Sequence, residues 1–418
     1  MELSLNSLSA PCSCERVHTL EVERIIIEAN LLNKVSEFVI EKQLNSYPMI
    51  ICDFNTYPLG VEQLKEQLNV NAQQVICLNP AHLHADEYAL KAIRKQLDMK
   101  ASVLIAFGSG TIHDLTRYTA FKLNIPFLSV PTAASVDGFA STVAAMTFKG
   151  FKVTIPAKAP LAIFADTAII SRAPRYLTAA GVGDLLAKFT ALVDWKISHL
   201  LTGEYLCDKI VTITEEALQT LLNVIDDLAL QKEEAFEPLM YGLILSGLGM
   251  QMIGNSRPAS GAEHHLSHLW EMHVINDEIK ALHGEKVGVG LSYVCERYRS
   301  LLELKEAPAF KEVNLYDENM LSPIFNQLTA AILKENEHDC LTQVNEGVFK
   351  LQFNQIKALI ETLPTSTQVR TWLKQVGGKT TLAEIGLEER LKEPSLAAAP
   401  YVRNRLTLLR LIKVLELS

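Results

Sequence analysis

SVLIAFGSGTIHDL, residues 102–115, decides the fold. Ser102–Phe107 is an uncharged apolar run of strand length, and Gly108 and Gly110 follow at once. Glycine lets the backbone turn sharply and approach a ligand closely. The segment 112–123 then has helical periodicity. A strand, a glycine turn and a helix start in this order place free N–H groups and the positive end of a helix dipole together, which suits a pyrophosphate. The run departs from the GxGxxG fingerprint, because His113 stands where the third glycine belongs. By itself it also fits an ordinary glycine-rich turn.

Outward from this unit the pattern repeats. MIICDF (49–54), QVICLN (74–79) and FLSVP (127–131) are short β-like runs, and 61–69, 84–98 and 112–123 are amphipathic. Such alternation predicts a mostly parallel, Rossmann-like sheet flanked by helices. Past residue 174, segments of helical period dominate: 183–202, 207–231, 236–254, 261–275, 284–302 and 400–417. The expected organisation is a loose leader (1–20), an α/β domain (21–174) and an all-helical domain (175–418), with the active site in the cleft between the two domains. The last helix, Val402–Leu417, is expected to pack its stripe of Leu406, Leu409 and Val414 on the helical domain.

Composition narrows the class. The chain has 418 residues, 48% hydrophobic and 21% charged, with a net charge of 39 − 48 = −9. No long basic run exists to neutralise phosphates, so a nucleic-acid partner is not expected. Seven cysteines without a CxxC pair fit a reducing, cytoplasmic setting better than a disulfide framework. Cys12 and Cys14 are two thiols, too few for a metal site alone. The start lacks a basic, then apolar, signal pattern. Leu239–Ile253 is too short and too interrupted by glycine to span a membrane.

Three further groups carry chemistry. VPTAASVDGFAS (130–141) is a second polar turn after a strand, with hydroxyls at Thr132, Ser135 and Ser141 and a tight turn at Asp137–Gly138. Asp53 ends the MIICDF strand, where a carboxylate either accepts from ribose hydroxyls or caps the next turn. GAEHHLSHLWEMH (261–273) puts His264 and His268 on one helix face; His283 precedes Gly284, and Asp184 lies in GVGDLLAK. A carboxylate with two or three imidazoles can hold a divalent cation and leave one position open. His265 and His273 read as structural residues.

GSGTIHD, PTAASVDGFAS, GVGDLLAK, SRPASGAEHHLSH and HGEKVGVG, in that order, resemble the glycerol-1-phosphate dehydrogenases of the iron-containing alcohol dehydrogenase and dehydroquinate synthase-like superfamily. The likeness runs from about residue 20 to about residue 300. It implies Asp184, His264 and His283 as metal ligands, with Asp184, His268 and Asp137 at the substrate. It implies Gly108, Gly110, Thr111, Ile112, His113, Asp114, Thr132, Ser135 and Ser141 at a nicotinamide cofactor, NAD(H) or NADP(H), with Asp53 at its adenosine end. SVDG replaces the SNDG of archaeal members and points to the bacterial branch; bacterial members are associated with nickel and archaeal members with zinc, and imidazole and carboxylate ligands accept either ion. The implied reaction reduces dihydroxyacetone phosphate to glycerol 1-phosphate in a homodimer. Lys188 and Arg257 are the cations proposed for the substrate phosphate. The alternatives are a glycerol or other polyol dehydrogenase, a dehydroquinate synthase-like cyclase, and a non-catalytic metal- or nucleotide-binding regulator.

Overall fold

The computed structural model describes residues 1–148, 151–312 and 318–417, and the side chains of all but Phe151 and Lys152 among them. Two compact units form: Met1–Gly181 with Gln219–Asn255, and Val182–Leu218 with Ser256–Ser418. The sequence suggested one crossing near residue 174; instead the chain returns to the first unit for helix Phe236–Ile253.

The first unit is built on a six-stranded sheet. Its strands are β1 (Arg24–Glu28), β2 (Pro48–Asp53), β3 (Val75–Leu78), β4 (Val103–Gly108), β5 (Phe127–Pro131) and, after a hairpin of β6 (Val143–Phe148) and β7 (Phe151–Pro156), β8 (Ala162–Asp166). The order is β1-β8-β5-β4-β2-β3 and every neighbour is parallel. Strand alternation fixes both faces. Ile50, Cys52, Ile105, Phe107, Leu128 and Val130 meet helices Leu32–Glu41 and Val61–Leu68 on one side. Met49, Ile51, Leu104, Ala106 and Phe127 meet helices Glu87–Gln96 and Gly110–Leu123 on the other. A fully buried side chain of this size contributes about 1.5–3 kcal/mol, so a sheet covered on both faces holds its strand ends rigidly.

From β2 the chain moves outward to β3, and from β4 it moves the opposite way to β5. Between β2 and β4 the strand order therefore reverses, and a crevice opens at the carboxyl ends. Asp53 and the Gly108 turn both lie there.

The expected loose leader is anchored. Leu3 N–H donates to the Ile25 carbonyl (3.0 Å) and Ile27 N–H to the Met1 carbonyl (2.8 Å), pairing the first residues antiparallel to β1. The second unit is helical: Lys188–Thr202, Ala262–Glu271 and His283–Arg299 carry its chemistry. Of the expected helix Val402–Leu417 only Leu408–Ile412 is helical, and a separate short turn of helix, Ala399–Tyr401, precedes it. Side-chain partners dictate the break. The Asp194 carboxylate accepts from Leu408 N–H (2.8 Å), the Tyr298 hydroxyl accepts from Leu409 N–H (3.0 Å), and Arg410 donates to the Pro400 and Arg403 carbonyls. The stripe residues Leu406 and Leu409 are buried nonetheless. Arg175–Thr202 is long and apolar enough to cross a bilayer, but 83% of its apolar window is buried inside the protein.

Candidate active site

In the first unit, Gly108 closes the turn. A β-carbon there would meet Ile112 Cγ1 at 2.6 Å, and Thr132 N–H bonds the Gly108 carbonyl at 3.0 Å, joining the two polar turns. Ser109 leads helix Gly110–Leu123 and its side chain does not cap the amides of the first turn. Thr132 and Ser135 are buried at this end of the sheet.

Other residues expected at the cofactor turn inward. Ile112 is core. The His113 ring bonds the Ser109 carbonyl through Nδ1 (2.9 Å) and the Ser129 hydroxyl through Nε2 (2.8 Å). Burial pulls its pKa down to about 3. Asp53 Oδ1 caps the amides of Asn55 (2.8 Å) and Thr56 (3.0 Å). Ser141 Oγ accepts from Val143 N–H (3.0 Å). These side chains shape the turns; a ligand contact through them is not required by the geometry. Arg117, not foreseen from sequence, links the turns. It pairs with Asp114 (2.8 Å) and donates to the carbonyls of Gly138 (2.7 Å) and Phe139 (3.1 Å). Asp137 Oδ2 accepts from the Ser246 hydroxyl (2.8 Å).

In the second unit, Asp184, His264 and His283 come together. Their ligand atoms lie within 4.8 Å of one another, and His264 Nε2 is 3.5 Å from Asp184 Oδ1. Ligands around a small tetrahedral ion sit about 3.4 Å apart, so the donor set fits a divalent cation. Helix crossing permits the approach. A β-carbon on Gly183 would lie 2.3 Å from the Gly284 carbonyl oxygen and 3.4 Å from Gly288 Cα.

Two glutamates escaped the sequence reading: Glu263 is wholly buried, and the side chain of Glu271 is largely covered. Glu263 Oε1 accepts from His264 Nδ1 (2.8 Å), which turns Nε2 toward Asp184. Glu271 accepts from Nδ1 of both His283 (2.9 Å) and His268 (3.2 Å) and pairs with Lys286 (2.9 Å). A carboxylate behind each imidazole fixes its tautomer and ring plane. The only signal in sequence is their spacing on the His264–His268 helix. Burial favours the neutral form of His264, but Asp184 and Glu263 outweigh it and raise the pKa to about 9. Burial would likewise raise Asp184, but Lys188, His264 and His283 hold its carboxyl well below the usual range. His268 is pulled to about 3 by burial despite Glu271.

Lys188 and Arg257 have other partners than a substrate phosphate. The Lys188 ammonium, fully buried, donates to the Asp184 carbonyl (2.8 Å), the Ala259 carbonyl (3.2 Å) and Asp184 Oδ1 (3.5 Å). Three bonds use its three donors. Arg257 pairs with Glu204 (2.9 Å) and donates to the carbonyls of Leu406 (2.7 Å) and Asp194 (3.2 Å). A different cationic group lies against helix Ala262–Glu271, where Ala399–Tyr401 packs. Arg405 donates to the Ser260 carbonyl (2.8 Å) and the Ser256 hydroxyl (3.2 Å). His265 is wholly buried, and neither ring nitrogen has a hydrogen-bond partner among the described residues. Burial first, then the charges of Arg405 and Arg403, push its imidazole well below its ordinary pKa.

Residues 26–174 match the family of iron-containing alcohol dehydrogenases. Over 411 residues the chain is 34% identical to the NAD(P)+ glycerol-1-phosphate dehydrogenase of Geobacillus stearothermophilus, covering 96% of this chain and 95% of that protein. The chain belongs to the glycerol-1-phosphate dehydrogenase family. The enzyme of the same name from Bacillus licheniformis is 36% identical, over 96% of this chain and 91% of its own. In three dimensions the chain resembles maleylacetate reductase from Agrobacterium tumefaciens, with a TM-score of 0.60 at 14% identity, covering 93% and 91% of the two chains. That likeness speaks for the fold alone.

Behind the cluster of Asp184, His264 and His283, the expected weak point is Glu271. Replacing it with alanine removes the acceptor shared by two imidazoles and is expected to weaken metal binding or lower turnover about 10–100-fold. Metal titration of the purified variant measures this; unchanged affinity together with unchanged turnover would remove Glu271 from the role.

Proposed function

We propose that the chain catalyses the reversible NAD(P)H-linked reduction of dihydroxyacetone phosphate to sn-glycerol 1-phosphate, with a divalent cation, nickel or zinc. The carrying observation is the convergence of Asp184, His264 and His283, with Glu263 and Glu271 fixing the imidazoles. Imidazole and carboxylate donors accept either metal. When bound, the cation supplies Lewis acidity at the ketone oxygen and the nicotinamide supplies hydride, which no side chain can carry. The chain's residues do the rest. The amides after Gly108 hold the cofactor's pyrophosphate. His268, with Nδ1 held by Glu271, has Nε2 for passing the alcohol proton. Asp137, fixed by Ser246, orients the substrate hydroxyl. Seven cysteines without a CxxC pair support a cytoplasmic setting. A homodimer remains part of this reading through family likeness.

The substrate phosphate falls to Arg403 and Arg405 beside His265. Guanidinium groups match phosphate geometry, and the unpartnered imidazole offers a further donor. Arg403→Ala is expected to raise KM for dihydroxyacetone phosphate at least about tenfold, the equivalent of one charge-assisted bond. KM for unphosphorylated dihydroxyacetone should hardly move; equal effects on both would exclude the role. The function itself is tested by following NADH with dihydroxyacetone phosphate, glycerol and a heptulosonate phosphate, and by chiral analysis of the product. Turnover on either of the latter two and none on the first would replace the reading.

A further inference from the structure

The leader holds a cluster that the reaction does not use. Cys12, Cys14 and His18 offer ligand atoms within 4.8 Å of one another, with Cys14 Sγ 3.2 Å from His18 Nε2. A tight turn makes the approach possible: Glu15 N–H bonds the Cys12 carbonyl (3.2 Å), and Glu15 takes a left-handed backbone, φ 61°.

His18 is placed against the usual preference. It is 4% exposed, whereas the adjacent Val17 is 87% exposed. The hydrophobic effect alone would bury the valine and leave the imidazole in water. What holds the ring inside is a bond from Nδ1 to the Met252 carbonyl (2.8 Å), at the end of helix Phe236–Ile253. A carbonyl can only accept, so the proton sits on Nδ1 and the lone pair on Nε2 faces the thiols. Metal-binding histidines are held by this second-nitrogen bond.

We propose that Cys12, Cys14 and His18 bind a structural zinc ion that ties the leader to helix Phe236–Ile253. Mixed sulfur and imidazole donors favour zinc, with sulfur and nitrogen ligands about 3.6 Å apart in a tetrahedral shell. Binding converts the two thiols to thiolates and releases their protons to solvent; no oxidation state changes. The fourth position takes water or another donor. This site is separate from Asp184, His264 and His283 and does not depend on the reaction assigned to them.

The test is metal analysis after equilibration with zinc and desalting. Cys12→Ser/Cys14→Ser is expected to carry about one equivalent less zinc per chain than the unchanged protein. Its dehydrogenase turnover should be retained, and cleavage within the first twenty residues by added protease should quicken at least about tenfold. Equal zinc content in the two proteins would overturn the proposal. Should the double variant not fold, thiol alkylation of the unchanged protein, read by peptide mass, decides instead. Cys12 and Cys14 are expected to be protected with zinc and modified after chelation; equal modification in both states overturns the site.

Discussion

Asp184→Ala is expected to abolish metal binding and to cut turnover by about a thousandfold or more. Lewis-acid stabilisation is worth several kcal/mol, and each 1.4 kcal/mol is tenfold in rate. The same change should also cost stability. Lys188, with no exposed surface, lies against this carboxylate. Removing one partner of a buried pair leaves an uncompensated charge, at about 3–5 kcal/mol. Adding Lys188→Met removes that charge. The double variant should therefore regain most of the lost stability, short of about 1–3 kcal/mol for the Ala259 carbonyl left without its donor. It should regain no metal. Urea unfolding and metal analysis of the single and double variants read the two effects apart. Full metal occupancy in Asp184→Ala would remove it from the ligand set; an additive loss of stability on adding Lys188→Met would refute the pairing.

Gly183→Ala is expected to have the second largest effect, although it deletes nothing. Ordinary contact begins near 3.4 Å, and the new methyl would sit 2.3 Å from the Gly284 carbonyl oxygen, so the backbones must separate by about 3.4 − 2.3 = 1.1 Å. Alanine gains about 1 kcal/mol of helix propensity. Overpacking costs about 1–3 kcal/mol, so strain equals or exceeds that gain. The cation is less forgiving, because ligand distances must hold within about 0.2 Å. Asp184 and His283 flank this crossing, so metal affinity should fall at least about a hundredfold while the fold survives. Metal titration with parallel thermal unfolding checks this; an alanine variant binding metal as tightly as the parent would show that the crossing does not set the site.

Sequence reading recovered what local pattern encodes. β2 to β5 were visible because each is an apolar run closed by turn residues. β1 and β8 were overlooked: RIIIE is flanked by charges, and AIFAD carries two alanines and an aspartate. The His264–His268 spacing and the upstream Asp184 anticipated one side of the cluster that Asp184, His264 and His283 form. Glu263 and Glu271 were illegible because acids on a helix are usually solvated, and only tertiary packing buries Glu263 and covers most of the Glu271 side chain. Lys188 and Arg257 show the converse situation. Their charge suggested a phosphate, but the fold had already given them Asp184 and Glu204. The broken carboxyl-terminal helix depended on Asp194, Tyr298 and Asn336, each more than seventy residues upstream and invisible to periodicity.

The edge strand β1 has its own implication for synthesis on the ribosome. Its parallel neighbour begins at Ala162, and 162 − 24 = 138 residues must be made before the two can pair. Contacts so distant in the chain form slowly, and an uncovered strand edge invites association with other chains. Met1 to Leu3 lie beside that strand on its outer flank and emerge before it. The nascent chain thus carries its own temporary guard for one flank during the long wait for β8.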